Sequence, residues 1–151
     1  MLFRSKAPLR IGLAGGGTDV SPYSDEFGGI ILNVTLSLFA HTTIELIDEP
    51  LIVIESIDKN ETQSFELTTT LPIDGTLDLV KGVYNRIQKD YPFTLRGFKI
   101  STKVDAPAGS GLGTSSTLVV SILGAFKEML KFKLLVSAYN LVQFRYIAHK
   151  N

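Results

Sequence analysis

The residue types best suited to chemistry lie in one glycine-rich segment, residues 107–116, which reads Pro-Ala-Gly-Ser-Gly-Leu-Gly-Thr-Ser-Ser. Its glycines, Gly109, Gly111 and Gly113, let the backbone approach a ligand closely and turn its N–H groups toward it. A helix that begins directly after them adds unpaired N–H groups and the positive end of its dipole. Together these features favour a binding site for a phosphate group.

Hydroxyl groups end this segment, at Thr114, Ser115 and Ser116. A hydroxyl in the first helical turn is well placed to ligate Mg²⁺ beside a triphosphate, so each of the three is a candidate. The segment is not a Walker A loop, because no Gly-Lys-Ser or Gly-Lys-Thr follows its glycines. A structural alternative is a simple glycine turn in which Thr114 or Ser115 caps the helix.

The elements that must position the segment can be predicted from the spacing of apolar residues. Leu9, Ile11 and Leu13 alternate with small or polar residues before a run of glycines, which indicates a strand and a turn. Further strands are predicted at residues 30–36, 39–47, 51–56 and 62–67. A helix is predicted near residues 77–89, where apolar side chains recur with a period of about 3.6 residues.

A strand at residues 98–104 leads into the glycine-rich segment, and a helix near residues 115–131 follows it. This order places the segment between a strand and the N-terminus of a helix, as an anion site requires. No repeat, linker or low-complexity tract divides the chain. The prediction is therefore an α+β fold, with a mixed β-sheet and helices packed on one face.

Residues 107–116 resemble the second motif of the GHMP kinases, usually Pro-x-x-x-Gly-Leu-Gly-Ser-Ser. Residues 7–19, Ala-Pro-Leu-Arg-Ile-Gly-Leu-Ala-Gly-Gly-Gly-Thr-Asp, resemble the first motif and come before the second, as in the family. The resemblance covers residues 1–130 and implies the N-terminal, ATP-binding domain of a small-molecule kinase. It also implies a ribosomal-protein-like fold, with ATP and Mg²⁺ as cofactors.

The same resemblance implies roles for individual residues. The second motif would wrap the ATP phosphates through Pro107, Ala108, Gly109, Ser110, Gly111, Leu112, Gly113, Thr114, Ser115 and Ser116. By its position in the motif, Ser115 would ligate Mg²⁺. Arg10 matches the basic residue that lies near the transferred phosphoryl group, so we predict Arg10 and Ser115 to be catalytic.

The acceptor is expected at the end of the first motif, at Gly16, Gly17, Thr18 and Asp19. In sugar-handling members the terminal aspartate, here Asp19, hydrogen-bonds the sugar hydroxyls. Structural alternatives remain, with Arg10 as an outward-facing strand residue and Asp19 as the N-cap of a short turn at residues 20–23.

The residues of the first motif resemble those of the heptose-phosphate kinase and fucokinase branch more than those of galactokinase, whose pattern carries Gly-Glu-His-Thr-Asp. The resemblance thus implies a sugar kinase that transfers the γ-phosphate of ATP to a hydroxyl of a sugar or sugar phosphate. In this branch the acceptor is an anomeric hydroxyl of a heptose phosphate or a deoxyhexose.

The chain departs from the family pattern toward its end. Many members carry a catalytic aspartate downstream of the second motif, but no aspartate follows Asp105 here. Residues 131–151 contain four basic side chains and no acidic one, Lys131, Lys133, Arg145 and Lys150. We therefore expect a domain at residues 1–130 and an atypical basic tail at 131–151, in a chain that is truncated, frameshifted or cut from a longer kinase. By itself this chain is expected to be inactive, because it supplies only part of the site.

Composition excludes several other classes of function. Fifteen basic and fifteen acidic side chains give a formal net charge of zero, so neither nucleic acid nor a membrane is expected as a partner. The chain contains no cysteine and two histidines, which rules out disulfides and a thiolate metal site. A cytoplasmic location is expected, with ATP and a small sugar as partners.

Two alternative functions remain at this point. The first is a non-catalytic nucleotide-binding, sugar-binding or scaffold domain that retains the kinase fold. The second is an RNA-binding module, which the neutral charge disfavours. His41 is expected to be an ordinary strand residue, and Asp25 and Glu26 to be solvated. Self-association is expected through exposed apolar surface, including residues 134–144.

Overall fold

The computed structural model describes residues 1–131 of the chain. These residues form five strands and three helices: β1 (Leu2–Ala14), α1 (Tyr23–Phe27), β2 (Leu32–Leu46), β3 (Leu51–Ser56), β4 (Glu61–Glu66), α2 (Asp78–Asp90), β5 (Phe98–Val104) and α3 (Thr114–Leu130). Both predicted long helices are present within a residue or so of their expected bounds. The predicted tail lies outside the described residues from residue 132 onward, including residues 134–144.

The strands form one mixed sheet in the order β1-β2-β5-β3-β4. β3 pairs with β5 in parallel, whereas the other neighbours are antiparallel. Alternate residues of β3 and β5 are buried beneath α2 and α3, and the residues between them face outward. The predicted mixed sheet with helices on one face is therefore confirmed.

The core between sheet and helices is aromatic at its centre. The ring of Tyr84 in α2 lies 5.9 Å from that of Phe98 in β5, and Phe98 lies 6.0 Å from Phe126 in α3. The Tyr84 hydroxyl donates to the Thr68 carbonyl at 2.5 Å, and burial raises its pKa to about 12. Lys81 is also buried, with its ammonium group 2.5 Å from Asp74. These contacts fix α2 and α3 against the sheet.

β2 is one continuous strand, whereas the sequence predicted two separate strands at residues 30–36 and 39–47. The pairing of β1 and β2 is irregular between Pro8 and Arg10, where the partner residue jumps from Phe39 to Thr35. A bulge of this kind bends a strand and re-aims its side chains without ending it. Leu9, at the irregularity itself, is fully buried. Arg10, Gly12 and Ala14, at every second position after it, face a cleft described below.

α3 packs unusually close to the β1 and β2 strands. A Cβ atom added to Gly124 would lie 2.3 Å from the Ser5 hydroxyl, so only glycine fits there without movement. One turn earlier, the buried hydroxyls of Thr42 and Ser121 are 2.5 Å apart and hydrogen-bonded. These contacts hold the middle of α3 against β1 and β2. Of the described helices, none has both the length and the apolar character needed to span a bilayer.

Candidate active site

The glycine-rich segment forms an ordered turn between β5 and α3, as predicted. Gly109, Gly111 and Gly113 have φ angles of +80°, +73° and +69°, a region that other residues rarely adopt. α3 begins at Thr114, and its N-cap is Gly113, which provides no side-chain capping hydrogen bond. The alternative in which Thr114 or Ser115 caps the helix is therefore wrong. The first N–H groups of α3 point into the turn without a side-chain cap.

The start of this turn is fastened to β2 by Asp105. Its backbone N–H donates to the Phe39 carbonyl at 3.0 Å, and its carboxylate accepts the Phe39 N–H at 2.9 Å. His41, a strand residue as predicted, places its Nε2 atom 3.3 Å from the same carboxylate. The Phe39 N–H, followed by His41, holds the pKa of Asp105 below its usual value. This two-way clasp fixes where the turn leaves the sheet.

The end of the turn is fastened to β1 by Arg10. The backbone N–H of Arg10 donates to the Leu112 carbonyl at 3.2 Å. A Cβ atom placed on Gly113 would lie 3.7 to 3.8 Å from the Cγ, Cζ and Nε atoms of Arg10, so the guanidinium lies along the turn. The alternative of Arg10 as an outward-facing strand residue is therefore wrong. The structure brings together residues that the two motifs place far apart in sequence.

The end of the first motif folds back on residues 29 and 30. The Thr18 hydroxyl donates to the Gly15 carbonyl at 2.7 Å and accepts the Ile30 N–H at 3.2 Å, so Thr18 shapes this loop from within. α1 has Pro22 as its N-cap and no side-chain capping bond, so Asp19 does not cap α1. The alternative of Asp19 as the N-cap of a turn at residues 20–23 stays a prediction. Asp19 lines the same cleft as Arg10.

The two motifs enclose one cleft with a volume of about 390 Å³. Small-molecule sites commonly occupy about 300 to 1,000 Å³, so the cleft suits a compact polar ligand. Its predicted lining residues are Arg10, Gly16, Gly17, Asp19, Gly109, Gly111, Gly113, Thr114, Ser115 and Ser116. Its other lining residues are Gly12, Ala14, Ile31 and Asn33. Pro107, Ala108, Ser110, Leu112 and Thr18 were predicted to contact ligands but are outside this lining.

Comparison with known proteins explains this arrangement. The family described as GHMP kinases N terminal domain matches residues 78–150. The D-glycero-alpha-D-manno-heptose 7-phosphate kinase of Campylobacter jejuni is 45% identical over 131 residues, which are 87% of this chain and 39% of that protein. The crystal structure of a D-glycero-D-manno-heptose 1-phosphate kinase from Bacteroides thetaiotaomicron superposes with a TM-score of 0.87 at 51% identity. The chain belongs to the GHMP kinases.

The match extends over all of this chain and 48% of the Bacteroides structure. It also extends to the L-fucokinase/L-fucose-1-P guanylyltransferase of Bacteroides fragilis, at 29% identity over 145 residues, which cover 82% of this chain and 15% of that protein. The chain thus spans less than half the length of these relatives.

The cleft has few charged side chains, and they carry opposite charges. Among the lining residues that the structure describes, Arg10 is the one cation and Asp19 the one anion. In residues 1–131, no group of three or more histidine, aspartate or glutamate side chains could hold a metal by itself. Mg²⁺ bound with a triphosphate takes most of its ligands from phosphate and water, so one protein hydroxyl suffices. Ser115, exposed at the cleft, fits that requirement.

Proposed function

We propose that this chain is the nucleotide-binding part of an ATP-dependent sugar kinase, which transfers the γ-phosphate of ATP to a hydroxyl of a sugar or sugar phosphate. The observation that carries the proposal is the position of Arg10, whose guanidinium lies along the glycine turn while its backbone holds that turn to β1. A cation fixed at that place faces both a nucleotide in the turn and an acceptor beside Asp19.

On the donor side, the backbone of Gly109, Gly111 and Gly113 and the first N–H groups of α3 bind the phosphate oxygens of ATP. Mg²⁺, when bound, neutralises charge that develops between the β- and γ-phosphates. Ser115 holds that ion through its hydroxyl. Arg10 donates to the oxygens of the transferred phosphoryl group and keeps it directed toward the acceptor.

On the acceptor side, Asp19 accepts hydrogen bonds from sugar hydroxyls and so orients the one that attacks. The attacking oxygen forms a bond to the γ-phosphorus as the bond from that phosphorus to the bridging oxygen breaks, which releases ADP. Holding both reactants in line is the main source of rate in such transfers. Arg10 and Asp19 line the same cleft, so the first can hold the transferred phosphoryl group while the second holds the acceptor.

A heptose phosphate is the acceptor that we propose. The two most similar relatives described above are both heptose-phosphate kinases by name, at 45% and 51% identity. The reaction is placed in the cytoplasm, where ATP is made and used. The polar, glycine-lined cleft suits a small hydroxylated acceptor better than an apolar one.

The test measures nucleotide binding by the purified chain, using calorimetry with ATP in the presence of Mg²⁺ and in its absence. We expect tighter binding with Mg²⁺, and loss of most binding in Arg10→Gln. ADP release would then be measured with D-glycero-D-manno-heptose 7-phosphate. Turnover supports the kinase. Metal-dependent binding without turnover is expected both of the nucleotide-binding part of a kinase by itself and of a non-catalytic nucleotide-binding domain. A chain that binds no nucleotide contradicts both.

We also propose that the chain self-associates through the outer end of the β1–β2 pair. Ile11 and Val34 are cross-strand partners there and remain 39% and 48% exposed, and Leu13 beside them is 58% exposed. Exposed apolar side chains that adjoin one another are candidates for a protein–protein contact. Analytical ultracentrifugation of the chain and of Val34→Lys is the measurement; identical monomeric sedimentation of both would contradict the proposal.

A further inference from the structure

Asn33 is a polar residue in an otherwise apolar stretch at the start of β2. The residues around it are Ile30, Ile31, Leu32 and Val34, all apolar. Asparagine is among the residues least favoured in strands, because its side chain competes for backbone hydrogen bonds. In β2, Asn33 is the Cα partner of Gly12 in β1, so its amide lies on the same face as Arg10.

The side chain of Asn33 is directed into the cleft. Its Oδ1 atom would lie 3.5 Å from a Cβ atom placed on Gly12, so the amide extends over backbone that bears no side chain. Within residues 1–131, no other group forms a hydrogen bond with this amide. The cleft therefore presents, beside Arg10 and Asp19, a neutral donor and acceptor that has no hydrogen-bond partner among residues 1–131.

We infer that Asn33 binds the acceptor and recognises its hydroxyl groups, an inference that rests on the proposed kinase function. The amide donates through Nδ2 and accepts through Oδ1, so it can pair with two neighbouring hydroxyls of one sugar ring. Asp19 can only accept, and Arg10 can only donate. Asn33 supplies both and adds no charge beside the phosphate groups that the cleft would hold.

The experiment uses the whole 151-residue chain and isothermal titration calorimetry. One arm titrates D-glycero-D-manno-heptose 7-phosphate, and the other titrates Mg²⁺ with a hydrolysis-resistant ATP analogue. Asn33→Ala is expected to raise the Kd for the heptose phosphate about tenfold, the loss of about one to two hydrogen bonds. Its Kd for the nucleotide is expected to stay within about twofold.

Val34→Ala is the matched control, because Val34 is the next residue of β2 and pairs with Ile11 away from the cleft. It should change neither Kd. Asn33→Asp keeps the shape of the side chain and removes its donor, so it should weaken heptose phosphate binding at least as much as Asn33→Ala. Thermal unfolding of each variant confirms that it folds.

Three outcomes would overturn the inference. The first is an unchanged heptose phosphate Kd in Asn33→Ala, and the second is an equal loss in the nucleotide arm. The third is an unaltered chain that binds the nucleotide but no heptose phosphate. A chain that binds neither ligand would overturn the proposed function as well, so the two failures can be told apart.

Discussion

Replacing Ser115 with alanine separates a metal ligand from a helix cap. Ser115 is exposed at the cleft, and the N-cap of α3 is Gly113. Loss of the hydroxyl should therefore not cost the ~1 kcal/mol that removal of a cap would. Alanine favours helix by up to about 0.5 kcal/mol relative to serine, so the free energy of unfolding should stay the same or rise slightly.

Nucleotide binding should respond differently. If Ser115 ligates Mg²⁺, the variant loses one ion ligand and keeps every backbone N–H of the turn. We expect the Kd for Mg·ATP to rise about tenfold, equivalent to about 1.4 kcal/mol, and the Kd for ATP in EDTA to change by less than about twofold. Calorimetry with and without Mg²⁺ measures both values.

Ser110→Ala is the control for this prediction, since Ser110 lies in the same turn but outside the cleft lining. It should leave the Kd for Mg·ATP unchanged. Equal losses with and without Mg²⁺ in Ser115→Ala would refute the assignment of the hydroxyl to the metal. A drop of ~1 kcal/mol in stability would show that the hydroxyl caps the helix after all.

Three further predictions concern the scaffold and the cation. Arg10→Lys keeps the charge but not the planar fork, so we expect nucleotide affinity close to that of the unaltered chain and a lower rate of transfer wherever turnover is measurable. Asp105 has a lowered pKa, so its ionised form stabilises the fold above the unfolded pKa of about 3.9, and that contribution is lost as pH falls through the folded value. In Asp105→Asn, thermal unfolding should therefore depend less on pH in this acid range. Gly124→Ala forces a Cβ atom to within 2.3 Å of the Ser5 hydroxyl. Overpacking costs about 1 to 3 kcal/mol and the helix propensity of alanine returns about 1 kcal/mol, so the melting temperature should stay the same or fall. When Ser5 is glycine the clash is absent, so Ser5→Gly/Gly124→Ala should be more stable than Ser5→Gly alone.

The sequence predicted best where local signals decide the structure. The start of α3 after Gly113 follows from glycines that permit a left-handed turn and from the apolar period that succeeds them. β5 follows from the alternation of Phe98, Ile100 and Thr102 with the polar residues between them. These features depend on neighbours in the chain and are visible without knowledge of the fold.

Other features depend on contacts between distant segments. The clasp of Asp105 on Phe39 joins residues 66 positions apart, and the irregular pairing near Pro8 depends on how β1 meets β2. Asn33 has no sequence signal of a site, because it interrupts an apolar run and belongs to neither motif. Ser110 and Leu112 belong to the motif but lie outside the cleft lining, since the backbone twist of the turn, which the motif does not specify, decides which residues face the ligand.

The hydrogen bond from the Arg10 N–H to the Leu112 carbonyl has a consequence for how such a cleft can diversify. Because both atoms are main-chain atoms, no side-chain replacement at either position removes the bond, apart from proline at residue 10. The spacing between the glycine turn, which would bind ATP, and β1, which leads to the acceptor site, thus depends on the main chain and not on the side chains that line the cleft. Asn33, Ile31 and Asp19 could be exchanged to suit a different sugar while the reaction distance stays the same.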